Sequence, residues 1–132
     1  MIAIDTNILV RFLTRDDKTQ YAKARKIFSN ESVYIPITVL LETEWVLRFS
    51  YGFQSDAVSS SFKKLMGLPD VHITDPDLVH KAIEWHENGL DFADALHLSL
   101  SHNCKQFATF DNKFIQKAKG LTSCKVGLRC LA

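Results

Sequence analysis

Four short apolar runs limit what this chain can fold into: MIAI at residues 1–4, VYIP at 33–36, VHIT at 71–74 and QFATF at 106–110. Each is too short for a stable helix and suits a strand buried within a sheet. Stretches with helical periodicity separate them. These are NILVRFLTR, KTQYAKARKIFSN, TVLLETEWVLRFSYG (opened by Thr38, closed at Gly52) and SDAVSSSFKKLMG (stopped by Gly67 and Pro69). A further helix runs from Pro76 to Gly89. LDFADALHLSLSHN follows, with Phe92, Leu96 and Leu100 at i, i+4 and i+8, and then DNKFIQKAKG. CKVGL offers a last strand. Strands that alternate with single helices or helical hairpins pair in parallel, so the pattern predicts an α/β fold with a mostly parallel sheet covered on both faces. The chain has 132 residues and neither repeats nor a linker, which predicts one domain spanning 1–132.

No apolar run approaches the ~18–20 residues that span a bilayer, and the N-terminus has no secretory pattern. Three cysteines, Cys104, Cys124 and Cys130, lack CxxC spacing, so neither a disulfide framework nor a zinc knuckle is expected. A cytoplasmic protein fits this usage. The net charge of +1 is unevenly spread: +3 over residues 1–26, −7 over 27–104 and +5 over 105–132. Basic ends around an acidic middle suit a polyanion held beside bound metal, although a well-mixed solvated surface explains the same counts.

The acids of the middle and of the strand ends carry the chemistry. Ligands of α/β folds gather at the carboxyl ends of the strands. Asp5 directly follows MIAI and Asp111 directly follows QFATF, so both are expected at that edge of the sheet. Glu42 has Val39, Trp45 and Val46 as helical neighbours and is read as part of an apolar stripe, needing a cation or donors. Glu44 has Arg48 at i+4 and is read as an ordinary surface pair. Asp91 and Asp94 share a helical face at i and i+3, where like charges repel unless offset. Asp91 has an alternative role as an N-cap, whereas Asp94 lies inside an apolar helix beside Ala95 and Leu98. His97 lies three residues beyond Asp94, but a lone helical histidine is more often packed or solvated than a ligand. Taken singly, Asp5 and Asp111 are also most simply helix caps. Together these acids form a hard oxygen donor set without Cys or paired His, which suits Mg²⁺ or Mn²⁺. Such ions activate water and stabilise a phosphoryl transition state.

The ordered set DTNIL (Asp5), LLETEW (Glu42), DFADALH (Asp91, Asp94) and TFDNKF (Asp111) resembles the PIN-domain nucleases, and in length and N-terminal placement the VapC toxins of toxin–antitoxin pairs. The resemblance covers essentially the whole chain. It implies a three-layer α/β/α sandwich that cleaves RNA endonucleolytically with Mg²⁺ or Mn²⁺. It also implies metal ligands at Asp5, Glu42, Asp91, Asp94 and Asp111, with Asp91 ranked above Asp94, and hydrogen-bonding support from Asn7 and Thr109. A homodimer and a VapB-like antitoxin partner follow from the same resemblance. Arg11, Arg15, Lys113 and Lys117 are candidates for RNA phosphate contacts.

Three rival readings weigh less. A receiver-like signalling domain wants two acids after the first strand, where DTN supplies one. A haloacid-dehalogenase-type phosphatase needs a second aspartate that DTNIL lacks. A non-catalytic PIN-like module for binding RNA or protein would have no need of the full acid set.

Overall fold

Parallel pairing begins at the second residue. β1 (Ile2–Ala3) pairs with β2 (Val33–Tyr34), and β2 pairs with β3 (Val71–His72), all in parallel. The register sets Ile2 beside Val33 and Val33 beside Val71. Backbone bonds continue past the strands, with Ile4 N donating to Tyr34 O at 3.2 Å and Ile35 N to His72 O at 2.9 Å. A second ladder pairs β4 (Gln106–Phe107) with β5 (Lys125–Val126), again in parallel. The structure, a computed structural model, describes residues 1–122 and 125–127; Cys124, Leu128 and Cys130 lie outside the described residues. The chain divides into two compact units, the first Met1–Pro76 and the second from Asp77 onward. Parallel ladders joined through helices make this an α/β chain.

In the first unit, α1 (Thr6–Thr14) and α2 (Lys18–Asn30) follow β1, and α3 (Ile37–Tyr51) and α4 (Ser55–Met66) follow β2. Its core takes Ile4 and Leu9 from the N-terminal strand and helix, Ile35, Leu40 and Leu47 from the middle, and Val58, Phe62 and Leu65 at i, i+4 and i+7 of α4. The second unit holds α5 (Pro76–Glu87), α6 (Phe92–Leu100) and α7 (Asn112–Ala118). Val79, Ala82, Ile83 and His86 form the buried stripe of α5. The Ser99 hydroxyl of α6 donates to the Leu78 carbonyl of α5 at 2.6 Å. Among the described residues no helix is long and apolar enough to cross a membrane.

Three sequence expectations are corrected here. Pro36, not Thr38, is the N-cap of α3, with no side-chain cap bond; Thr38 lies exposed in the first turn. Leu100 is exposed, because the buried stripe of α6 runs through Phe92, Ala95, Leu96, Leu98 and Ser99. The third correction concerns α3, whose buried positions are Leu40, Thr43, Glu44 and Leu47, at i, i+3, i+4 and i+7. Leu40 and Leu47 fix the phase of the stripe, and this phase turns Glu42 outward and Glu44 inward. Glu44 is 1% exposed and Trp45 54%. Arg48 compensates the buried carboxylate through Nε at 2.8 Å and Nη2 at 3.2 Å. The i+4 pairing was legible, but it is buried at the carboxylate rather than lying on the surface.

A polar tie fastens α1 and the turn after it to the end of α3. Arg11 Nη1 donates to both oxygens of Asp16 at 2.9 Å and to Tyr51 Oη at 3.0 Å, and its Nε donates to Gln20 at 2.6 Å. Tyr51 and Thr14 hydroxyls donate to Asp16 at 2.7 and 2.8 Å. These bonds, Tyr51 foremost, then Thr14 and the Arg11 guanidinium, hold the Asp16 carboxyl down to about 2.

Two outcomes follow. Arg48→Met strands a buried carboxylate and costs about 2–3 kcal/mol, whereas Glu44→Gln, which keeps shape and an acceptor, costs less than about 1 kcal/mol; urea unfolding of the two variants checks the order. Asp16, with its pKa lowered on folding, contributes stability that is present at neutral pH and lost as pH falls from about 3.8 towards about 2. Melting curves of Asp16→Asn across this interval should be flatter in pH than those of the parent.

Candidate functional site

In the first unit Asp5 sits where a strand gives way to a helix. Asp5 follows the buried Ile4, keeps an extended backbone, and caps α1 by accepting from Ile8 N at 3.1 Å through Oδ1. Its other oxygen makes no hydrogen bond among the described residues. The next residue, Thr6, donates its hydroxyl to Glu42 Oε1. The head of α1 and the middle of α3 thus bring the first two predicted acids to one neighbourhood, although Glu42 is exposed rather than buried in a stripe. A cavity of about 380 Å³ opens beside them. Val10 and Val46 give it apolar wall, and Thr6, Asn7, Arg11, Glu42, Ser50 and Tyr51 give it polar groups. Asn7 lines this space and is exposed.

The second unit repeats the junction. Asp111 follows the β4 segment and caps α7, its Oδ1 accepting from Lys113 N at 3.0 Å and Phe114 N at 3.2 Å. Its second oxygen makes no hydrogen bond among the described residues. Thr109 accepts from the Asp111 backbone amide at 3.0 Å through its hydroxyl. Asp91 caps α6 through Oδ2 and the Asp94 amide at 3.2 Å. Asp94 is half-buried, and its carboxyl is pushed above the ordinary range, first by burial and then by the charges of Asp91 and Asp111; His97 opposes the shift. Two acids of this unit thus act on Asp94 as like charges.

The chain ahead of Asp91 is held by His86. Its Nδ1 lies 2.7 Å from the Leu90 carbonyl, which only accepts, so Nδ1 carries the proton. Gly89, at φ 104°, turns the chain ahead of Asp91, and Lys117 Nζ lies beside it where a side chain would stand. Lys113 is exposed in the first turn of α7.

These residues suit a divalent cation by donor chemistry and by field. The donors are carboxylate oxygens, the capping acids Asp5 and Asp111 each keep one oxygen open, and Asp94 is destabilised in its charged form first by burial and then by Asp91 and Asp111. Among the described residues no three His, Cys, Asp or Glu side chains converge closely enough to cage an ion.

Sequence reasoning missed Thr6 and the Arg11 tie. The hydroxyl beside Asp5 was visible in DTN, but its partner lies 36 residues away. Arg11, expected as an RNA contact, has its Nε and Nη1 occupied by Gln20, Asp16 and Tyr51.

Comparison with known proteins gives one family. The model of the PIN domain matches residues 2–120 and so spans both units. Among solved structures, that of the Mycobacterium tuberculosis VapC20 toxin, described as cleaving the sarcin–ricin loop, aligns over 95% of this chain and 99% of its own. The identity is 21% and the TM-score 0.43. No curated protein matches. With the family model covering most of its length, and acids at the strand–helix junctions of both units, the chain belongs to the PIN domain family.

Proposed function

We propose that this chain is a metal-dependent endoribonuclease of the VapC toxin type, acting as one nuclease domain in the cytoplasm. The observation that carries the reading is the repeated junction at Asp5 and Asp111, where one carboxylate oxygen caps a helix and the other stays open. The candidate ligands for Mg²⁺ or Mn²⁺ are Asp5 and Glu42 in the first unit and Asp91, Asp94 and Asp111 in the second. When bound, the ion supplies Lewis acidity towards water and the scissile phosphate. The chain's residues do the rest. The α1 and α7 N-termini hold Asp5 and Asp111 in fixed rotamers, so little ordering remains when the ligand arrives. Thr6 orients Glu42, and Thr109 orients Asp111. Lys117 and Lys113 sit near the acids of the second unit and offer cations to RNA phosphates. Attack by water leaves a 5′-phosphate and a 3′-hydroxyl. A VapB-like antitoxin neutralises the enzyme, which works as a homodimer.

Asn caps helices as well as Asp does, so Asp5→Asn and Asp111→Asn should fold with Tm values within ~2 °C of the parent. Each should lose roughly 100-fold or more of its Mg²⁺-dependent cleavage of end-labelled total RNA, as loss of a metal ligand costs at least as much as loss of its outer partners. EDTA should abolish the discrete cuts. Full activity of folded Asp5→Asn would falsify the assignment.

Asp94 gives an opposite sign for stability. A carboxyl whose pKa is raised on folding binds its proton more tightly when folded, so stability falls as pH rises through its titration. At neutral pH without metal, Asp94→Asn should therefore raise Tm, by ~1–4 °C. The same variant should lose part of the Tm increase that Mn²⁺ gives the parent. A lower Tm in EDTA would show that Asp94 is not destabilised by its neighbours.

A further inference from the structure

The tip of the α1–α2 hairpin, at the far end of α1 from Asp5, carries a second cavity, of about 480 Å³. Phe12, Arg15, Tyr21, Arg25, Phe28 and Leu68 line it. The Phe12 and Phe28 rings stack at 3.8 Å between centroids with planes 13° apart, and Phe12 and Tyr21 stack at 6.3 Å and 26°. The Arg15 guanidinium lies over the Tyr21 ring at 5.1 Å. All three rings are half-buried, while Arg15 and Arg25 are exposed. Neither arginine has a salt bridge among the described residues. α2 itself carries Lys18, Lys23, Arg25 and Lys26 and no acid between its caps, so nothing on this helix neutralises them.

From these features we infer that the cavity is an exosite for single-stranded RNA, separate from the acids. Aromatic faces and uncompensated guanidinium groups together match bases joined by phosphates: the rings and the flat Arg15 head offer stacking surface, and the two charges offer phosphate contacts. Arg15 is itself held for the purpose. It ends α1 in the left-handed region at φ 58°, with its amide bonded to Arg11 O, and this fixes where its side chain leaves the helix. Asp5 and Arg15 are ten positions apart at opposite ends of one helix, about 15 Å along its axis. A strand held at the hairpin thus reaches the head of α1 within a few nucleotides. The exosite deepens the nuclease reading by giving its substrate a second hold on the protein.

The test is fluorescence anisotropy with a labelled single-stranded RNA of about 20 nucleotides and mixed sequence, in EDTA so that nothing is cut. The variants are Arg15→Asn with Arg25→Gln, since Asn tolerates the left-handed backbone, and separately Tyr21→Leu. The double variant should weaken binding on the order of 10-fold and reduce the slope of log affinity against log salt by about 1.4, for two contacts at about 0.7 each. Tyr21→Leu should weaken binding with little change in slope. In Mg²⁺, the double variant should raise KM for cleavage and leave kcat near the parent's. Unchanged affinity and slope in a double variant with parental Tm overturns the exosite. Displacement of the RNA by poly-glutamate at equal concentration also overturns it, and assigns the surface to an acidic protein segment. RNA binding that depends on Arg15 and Arg25, with no cleavage in Mg²⁺, would support the exosite while removing the nuclease reading.

Discussion

The site rests on a carboxylate placed between a strand and a helix. Asp5 stands two residues beyond the end of β1, and Asp111 four beyond the end of β4, which stops at Phe107 and not at Phe110 as the sequence suggested; each opens a helix, and the first free amides of the helix need an acceptor. The acid supplies one oxygen. The bonds are local, so the side chain is held by the backbone that directly follows it. Capping and metal binding looked like competing explanations of Asp5, yet a carboxylate has two oxygens and the cap consumes only one.

The two units meet the charge problem differently. In the first, Asp5 and Glu42 lie at the surface and each has a local donor, Ile8 N or the Thr6 hydroxyl, so water and hydrogen bonds suffice. In the second, burial and like charges act together on Asp94. Lys117 is near enough to pack on Gly89, but Asp94 is raised all the same. Burial and like charge both disfavour the ionised form of this carboxyl, and nothing else in its surroundings outweighs them.

Elements were legible where local rules were sufficient. KTQYAKARKIFSN coincides with α2, because Asp17 caps its start with a bond to Gln20 N and its single fully buried residue, Ala24, leaves a polar helix to follow its own propensity. The acids at strand ends were legible for the same reason: strand, cap and helix are neighbours in sequence. Glu42 and Glu44 were not, because the apolar residues around them fit more than one stripe. Only the packed positions of Leu40 and Leu47 decide the phase, and a buried Glu–Arg pair reads like an exposed one. The partners of Arg11 were hidden by distance, Tyr51 being 40 residues away.

Charge alone was the weakest guide. Arg11, Arg15, Lys113 and Lys117 looked equivalent as cations, and the structure separates them. Arg11 spends its Nε and Nη1 donors on the hairpin and on α3, which makes it a fastening of the fold. Arg15 spends none on an acid among the described residues and faces an aromatic ring instead. A guanidinium that is already paired has lost much of its field for an incoming phosphate, whereas one resting on a π-face keeps its full charge and its donors. What a basic residue can do here is therefore decided by whether an acid reaches it first. At this hairpin Asp16 reaches Arg11, and that choice leaves Arg15 open to a polyanion.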